Sequence, residues 1–545
     1  MATTRLGRQV EAPAPSWTRT TSVVVVGAGA AGLSAALPLA AAGIPVTVLA
    51  RGTLLETATA QSASAAERWH HPASVQELAA AGNQLCEADA ARELVVQAPA
   101  LLRWLDALAT RMSTAEQDAR LPLGRVIQRT LSAVARVQEL TPAGTLRIDT
   151  GSRAIDVLTD ASGHAAGVRV MRADGSVGTV LARAVVLANG GAAGLWNNRT
   201  ASAAATGDGM AMALRAGAEL RDMEFVQFAA TAFEPPAASR LAGETLTALS
   251  PELREASCTL VDAVGEPVMA PDASQNASET TIAFALADWL AEHPGASALL
   301  DARGMAERVW DARPHAQAAQ ALREHDFDPA HQVIPVHPAA QAFLGGVAID
   351  ASGATTVPGL WAAGEVACSG ANGASGPADG LLVDALVTGT AVGRRLAEMH
   401  KRTGLDEPGE PADRASRGLL PPTALPEVRR VAEEALGLRR DHEELRTASE
   451  FLARLPHEEP LGEKELTGTN LQTIAAAVAV AATARPESRG WHRRIDHPET
   501  NPKWARQLRV SLDDDGTLQV AAAPLRSPAT APAEASDPET SNQAS

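Results

Sequence analysis

The sequence predicts an α/β fold: a parallel-sheet domain with a dinucleotide turn, an α+β capping domain inserted into it, and a helical C-terminal domain. Three observations predict this. Strand-like runs alternate with helical stretches, a glycine-rich turn joins the first strong strand to a helix, and the texture of the chain changes near 236 and again near 424.

The first of these elements is SVVVVGAGAAGLSAAL. Val23 to Val26 read as a strand buried on both faces, and Gly27, Gly29 and Gly32 fall at the spacing G-x-G-x-x-G before an alanine-rich helix that begins near Ala30. Gly27 permits the tight turn, Gly29 lets backbone approach a pyrophosphate, and Gly32 lets helix and strand pack closely. The helix N-terminus offers N–H groups and positive dipole to the anion. Ile44 to Leu49 supply the next strand, which completes a Rossmann-like unit for FAD or NAD(P); the competing reading is a glycine-rich turn that binds nothing.

Further strands are read at GVRVM, AVVLANGG and GLWAAGEVA, so the sheet domain is assembled from 17–235 and 340–405. Between them, 236–339 carries prolines, short helical patterns and few strong strands, as expected of a cap that closes a site over a cofactor face. In 424–522, charge-rich leucine spacing from Pro426 to Leu455 and an alanine-rich run from Asn470 to Ala484 predict helices. Residues 1–16 are expected to form a flexible leader, and 523–545, poor in large apolar residues, a disordered tail.

At 545 residues and 46% hydrophobic content, the chain can bury more than one core. Its net charge of -17 opposes phosphate backbones, so nucleic acid is excluded as a natural partner. With no apolar run of about 18 residues and no signal-peptide core at the start, a cytoplasmic protein without membrane contact is expected. The three cysteines, Cys86, Cys258 and Cys368, are too scattered for a disulfide framework, and the 13 histidines contain no HExxH; His70-His71 adjoin a proline in a turn. No metal is expected.

Five segments in order, VVVVGAGAAGLSAAL, AVVLANGGAAGLW, ATGDGMAMALRAGAELRDMEFVQF, VPGLWAAGEVACSG and ARPESRGWHRRIDHPET, resemble the flavoprotein family of L-aspartate oxidase, fumarate reductase and succinate dehydrogenase. The likeness is strongest to the L-aspartate oxidase branch and runs from about 20 to 510. It implies FAD, with Gly27, Gly29, Ala30 and Gly32 at its pyrophosphate, and Ala188, Gly190, Gly191, Asp208, Glu365, Leu381 and Leu382 along the rest of the cofactor. It also implies oxidation of L-aspartate by dioxygen to iminosuccinate and hydrogen peroxide in NAD biosynthesis, a small-molecule substrate, and a possible pathway-enzyme partner. Two departures touch the cofactor side: Ala50 and Arg51 stand where a ribose-binding acid is expected, and TATAQSASAA lacks the glycine pair of the family run.

The substrate side departs further. Hydride transfer from a dicarboxylate to a flavin needs cations that clamp two carboxylates and a group that takes a proton. By the resemblance, the family histidine of FVQFHPT becomes Ala229, leaving Thr231. Glu279 stands for the arginine of the APRD segment, Gln341 for a second histidine, Ala342 for a tyrosine, Gly376 for the substrate arginine, and Asp384 for a glutamate. Ser250 and Arg254 match the family. Thr231, Ser250, Arg254 and Gln341 are therefore the candidate substrate contacts, and Glu279 and Arg254 the candidate catalytic groups. Each has a plainer reading: Arg254 as an ion pair in the cap, Thr231 and Ser250 as turn caps, Glu279 as an acid at a helix start. Three functions stay open: the family reaction, oxidation of a less anionic substrate such as an amine or neutral compound, and a catalytically silent scaffold. Glu487, Ser488 and Arg489 read as domain-docking residues.

Overall fold

The computed structural model describes residues 4–526 except 62–68, 70–73, 113–122, 140–143, 242, 256–257, 270–276, 312–314, 378–379 and 405–406. His70, His71, Ala256, the position of the family glycine pair and most of the expected tail therefore lie outside the described residues.

The strand Trp17–Val26 is central in a seven-stranded sheet. It pairs in parallel with Val46–Ala50 on one side, which pairs with Leu146–Thr150, and with Val177–Leu187 on the other. Val177–Leu187 then pairs antiparallel with Ala165–Arg172 through its first half and parallel with Leu360–Ala362 through its second; Ser152–Thr159 closes that edge. The distant strand Leu360–Ala362 thus returns to this sheet. Successive valines feed opposite faces, Val23 and Val25 into one core and Val24 and Val26 into another, which explains why the run shows no polar alternation.

The helix Ala30–Ala41 lies against the helix Gly380–Thr403. A Cβ at Gly389 or Gly393 would come within 2.3 Å of the carbonyl oxygens of Ala31 and Ala35, so only glycine lets the two backbones approach this closely. The start of the second helix brings Leu381 and Leu382 to the same cavity as the glycine-rich turn.

The cap is a five-stranded antiparallel sheet in the order Thr247–Ala248, Val226–Phe233, Ile334–Phe343, Ala298–Asp301, Thr259–Val261, with the helix Glu279–Glu292 packed on it. Of its two longest strands, Val226–Phe233 lies wholly before 236 and Ile334–Phe343 runs past 339. The cap sheet therefore reaches beyond the expected insert, because long antiparallel partners must start and finish together.

Two expectations are corrected. Residues 4–16 are docked: Gln9–Val10 pairs with Ser416–Arg417, Leu6 and Val10 are buried, and Val10 N–H donates to Asp156 Oδ2 at 2.7 Å. The C-terminal domain is not wholly helical. After the helices Ala424–Ala435, His442–Arg454 and Glu463–Ala484, the strands Gln507–Leu512 and Leu518–Ala523 form a hairpin, and the first pairs with Leu220–Arg221 of the sheet domain. The alternation in QLRVSLDDDGTLQV carries that hairpin signal. Among the described residues, no helix is long and apolar enough to cross a membrane.

Candidate active site

A continuous cavity of about 1330 Å³ runs from the glycine-rich turn to the cap. Ligand pockets commonly measure roughly 300–1,000 Å³, so this one has room for a dinucleotide and a second reactant.

At the turn, Gly27 has φ +113°, and a Cβ there would meet Ala188 O at 2.3 Å. Gly27, Gly29 and Ala30 line the cavity. Gly32 does not: it sits behind the turn, where a Cβ would meet Gly27 O at 1.9 Å, and its task is the close packing of helix on strand. Thr59 meets the start of the helix, its hydroxyl accepting Ala30 N–H at 3.0 Å, and Gln128, fully buried, donates from Nε2 to Ala28 O at 2.8 Å. Sequence reasoning missed both. Glu56, seven residues beyond Leu49, also lines the cavity and accepts Thr53 N–H at 2.8 Å; it puts a carboxylate near the place where Ala50 and Arg51 leave none.

Ala188, Gly190, Gly191, Glu365, Leu381 and Leu382 line the middle. Gly190 has φ +81° with no atom within 4 Å of a built Cβ, an open stretch of backbone facing the cavity. Glu365 Oε1 accepts Phe343 N–H at 3.1 Å, and burial raises its carboxyl to about 7 against the pull of that bond and of Gly191 N–H. Asp208 lines the cavity too, but its carboxylate is engaged: Arg153 reaches both oxygens (3.0 and 2.9 Å) and Asn470 one (2.8 Å). Burial alone would raise Asp208, but Arg153 and Asn470 more than offset it and hold the group below its usual range.

On the cap side, Ser250, Gln341 and Glu279 line the cavity, with Ala229, Ala342, Gly376 and Trp491. Glu279 opens its helix after the N-cap Ser278, and its Oε2 accepts Ala230 N–H at 3.4 Å. Ser250 Oγ donates to Glu252 Oε2 at 3.3 Å. Thr231 is a correction: it is buried in the same cap strand, two residues beyond Ala229, but is not among the residues that line the cavity. The side chain of Arg254 lies outside the described residues. Among the described lining residues the only cations are Arg51 and Arg153, paired with Glu463 and Asp208, and neither belongs to the cap.

The ESRG segment forms a buried charge cluster. Arg485 Nε donates to Glu224 Oε1 (2.6 Å), Glu487 takes bonds from Arg485 and twice from Arg489, and Arg489 Nη1 donates to Asn83 O. His492 donates from Nε2 to Arg485 O and accepts from Arg440 at Nδ1. Burial and then the neighbouring guanidiniums hold it well below its usual range, and neutral. Among these side chains none lines the cavity, yet the adjoining Trp491 does.

Residues 22–377 match the FAD binding domain family, and 462–536 match the fumarate reductase flavoprotein C-terminal family. The chain is 35% identical to an L-aspartate oxidase of Streptomyces coelicolor, covering 95% of this chain and 96% of that protein, and 34% identical to one of Mesorhizobium japonicum, covering 87% and 91%. Two solved structures share the fold at 22% identity: a quinol-fumarate reductase with menaquinol molecules (TM-score 0.77, 95% and 100% covered) and Mycobacterium smegmatis Sdh1 in complex with UQ1 (TM-score 0.76, 94% and 95%). The cavity fits the cofactor these matches indicate. Gly27 and Gly29 bring bare backbone to it at the turn, Gly190 leaves its middle open, and the buried Asn189 Oδ1 in its wall has no partner among the described residues.

Proposed function

Because the chain belongs to the L-aspartate oxidase family of FAD-dependent oxidoreductases, we propose that it is a flavoenzyme whose substrate is less anionic than L-aspartate. Bound FAD supplies a two-electron acceptor. Gly27, Gly29 and Ala30 hold the pyrophosphate against the N-terminus of the helix Ala30–Ala41, with Gly32 securing the turn from behind. Ala188, Gly190, Gly191, Leu381 and Leu382 pack along the cofactor, Glu365 accepts from its hydroxyls, and Asp208 keeps Arg153 in place.

Ser250 and Gln341 orient the substrate, and Glu279 takes the proton released as the substrate is oxidised. The single observation that carries this reading is the absence of any cation on the cap side of the cavity among its described residues, where Glu279 stands instead. Each missing charge-assisted contact costs a dicarboxylate on the order of 1.5–3 kcal/mol, which several neutral contacts do not restore. A cytoplasmic location belongs to the same reading.

The test is the visible flavin spectrum of the purified protein, before and after anaerobic addition of L-aspartate. We expect a flavin band that L-aspartate leaves unchanged. Bleaching would restore the family reaction. A protein that takes up no FAD even when it is supplied would be a silent homologue acting beside another enzyme of the pathway.

A further inference from the structure

We propose that Arg199, Arg240 and Arg429 together form a binding site for a phosphate group, carried either by the free anion or by a small phosphorylated metabolite. None of the three lines the cavity, so the site goes beyond the flavoenzyme reading and does not depend on it.

Convergence is the first argument. The arginines come from separate parts of the chain: Arg199 follows the short turn Ala193–Leu195, Arg240 lies in the loop between the cap strands Val226–Phe233 and Thr247–Ala248, and Arg429 stands on the helix Ala424–Ala435. All three reach the stretch 194–198. Arg429 Nε donates to Gly194 O at 3.0 Å, Arg199 Nη1 to Trp196 O at 3.0 Å, and Arg240 Nη2 to Asn197 O at 3.4 Å, with Asn198 Oδ1 accepting from both Nη groups of Arg240 at 3.3 Å. One short stretch of backbone thus gathers three guanidiniums. That stretch backs onto the cavity, since Arg199 O accepts the N–H of Leu246, a lining residue, at 2.8 Å.

Unmatched charge is the second. Arg199 is 3% exposed, yet its Nε has no hydrogen-bond partner, and the Nη groups of the half-buried Arg429 have none among the described residues. Only Arg240 of the three has a described carboxylate within ion-pair reach, Glu234 at 4.0 Å. Glu433 stands one helical turn beyond Arg429 but is spent on backbone: its Oε1 accepts Asn198 N–H at 2.7 Å, and burial raises its carboxyl, which weakens its hold on a negative charge. Burial, and then repulsion from Arg429 and Arg240, lowers Arg199 to about 10, as expected where cations gather with too little counter-charge. A phosphate group brings about two negative charges and three acceptor oxygens, which suit guanidinium forks arriving from different elements. A carboxylate brings one charge and two oxygens, and leaves part of the cluster unmatched.

Calorimetric titration of the full chain with inorganic phosphate, glycerol phosphate and acetate tests this, with FAD supplied so that the glycine-rich turn is already filled. We expect the tighter of the two phosphates to bind at least about tenfold more strongly than acetate, and more weakly as salt is raised. Glycerol phosphate as the tighter probe identifies a phosphorylated metabolite as the source, and inorganic phosphate as the tighter one identifies the free anion. Arg240→Gln and Arg429→Gln, both at partly exposed side chains, should each weaken that binding at least about fivefold while flavin content stays the same. Acetate binding as tightly as phosphate, no saturation by about 10 mM of either phosphate, or an affinity unchanged in both variants would overturn the proposal. Failure to take up FAD overturns the flavoenzyme reading instead. The variants still decide the phosphate question there, because an anion held at the empty glycine-rich turn would bind equally well to parent and variants.

Discussion

Gly27 shows how much one residue can carry. Its φ of +113° lies where L side chains are strained, and a Cβ would collide with the carbonyl of Ala188 on the neighbouring strand. Gly27→Ala should therefore both destabilise the sheet, on the order of 1–3 kcal/mol, and displace the backbone that meets the pyrophosphate; the flavin-to-protein absorbance ratio of the purified variant should fall severalfold. Asp384 makes a different point. Burial raises its carboxyl from 3.8 to about 7 against the Ser369 hydroxyl, so the folded protein holds that proton more tightly than the unfolded chain does. Its contribution is fully present below the unfolded value and is lost as pH rises through the folded one, at about 1.4 kcal/mol per pH unit. Asp384→Asn should flatten that slope and gain stability on the order of 1–3 kcal/mol above neutral pH, read from urea midpoints across the range; identical slopes in both proteins would remove Asp384 as their cause.

At the scale of elements, the C-terminal segment is held by charge buried among charge. Glu487 is fully buried and binds Arg485, Arg489 and Asn501 N–H, which joins the ESRG turn to Glu224 at the root of the cap strand. Removing one member leaves guanidiniums buried with too few acceptors, a loss of about 3–5 kcal/mol. Glu487→Gln should show it as a lowered denaturant midpoint, and a midpoint equal to that of the parent would mean that the cluster is neutral in stability. His492 adds an acid limb. Held neutral far below 6.5, it binds a proton on unfolding, so stability falls as pH drops below that value.

Across the whole molecule, the cap helix Glu279–Glu292 ends near a latch. Asp288 pairs with Arg439 and, at 2.8 Å, with Arg493, both from the C-terminal unit, and Arg493 lies 5.3 Å over Phe284. The pairs are partly exposed, so their stability is worth no more than about 1 kcal/mol, but they tie the cap to the unit that carries Trp491. Asp288→Asn should leave the denaturant midpoint nearly unchanged and raise the rate of limited proteolysis in the cap, more so at low salt, where the parent latch is strongest.

Much of this was legible in the chain itself. The strand of valines, the three glycines, the split sheet and the inserted cap follow from local pattern, because buried strands, tight turns and helix starts each demand particular residue types whatever surrounds them. The replacements at Ala229, Glu279, Gln341 and Gly376 were legible too, as departures from a resemblance. Long-range packing decided the rest. It docked residues 4–16 on the strand Ser416–Arg417, made the strand Gln507–Leu512 a partner of Leu220–Arg221, and left Thr231 out of the cavity lining. It also brought Thr59 and Gln128 to the glycine turn and Trp491 to the cavity wall. Sequence specifies what each residue can donate, accept or bury; which partner it meets depends on contacts hundreds of residues apart, which no local pattern encodes.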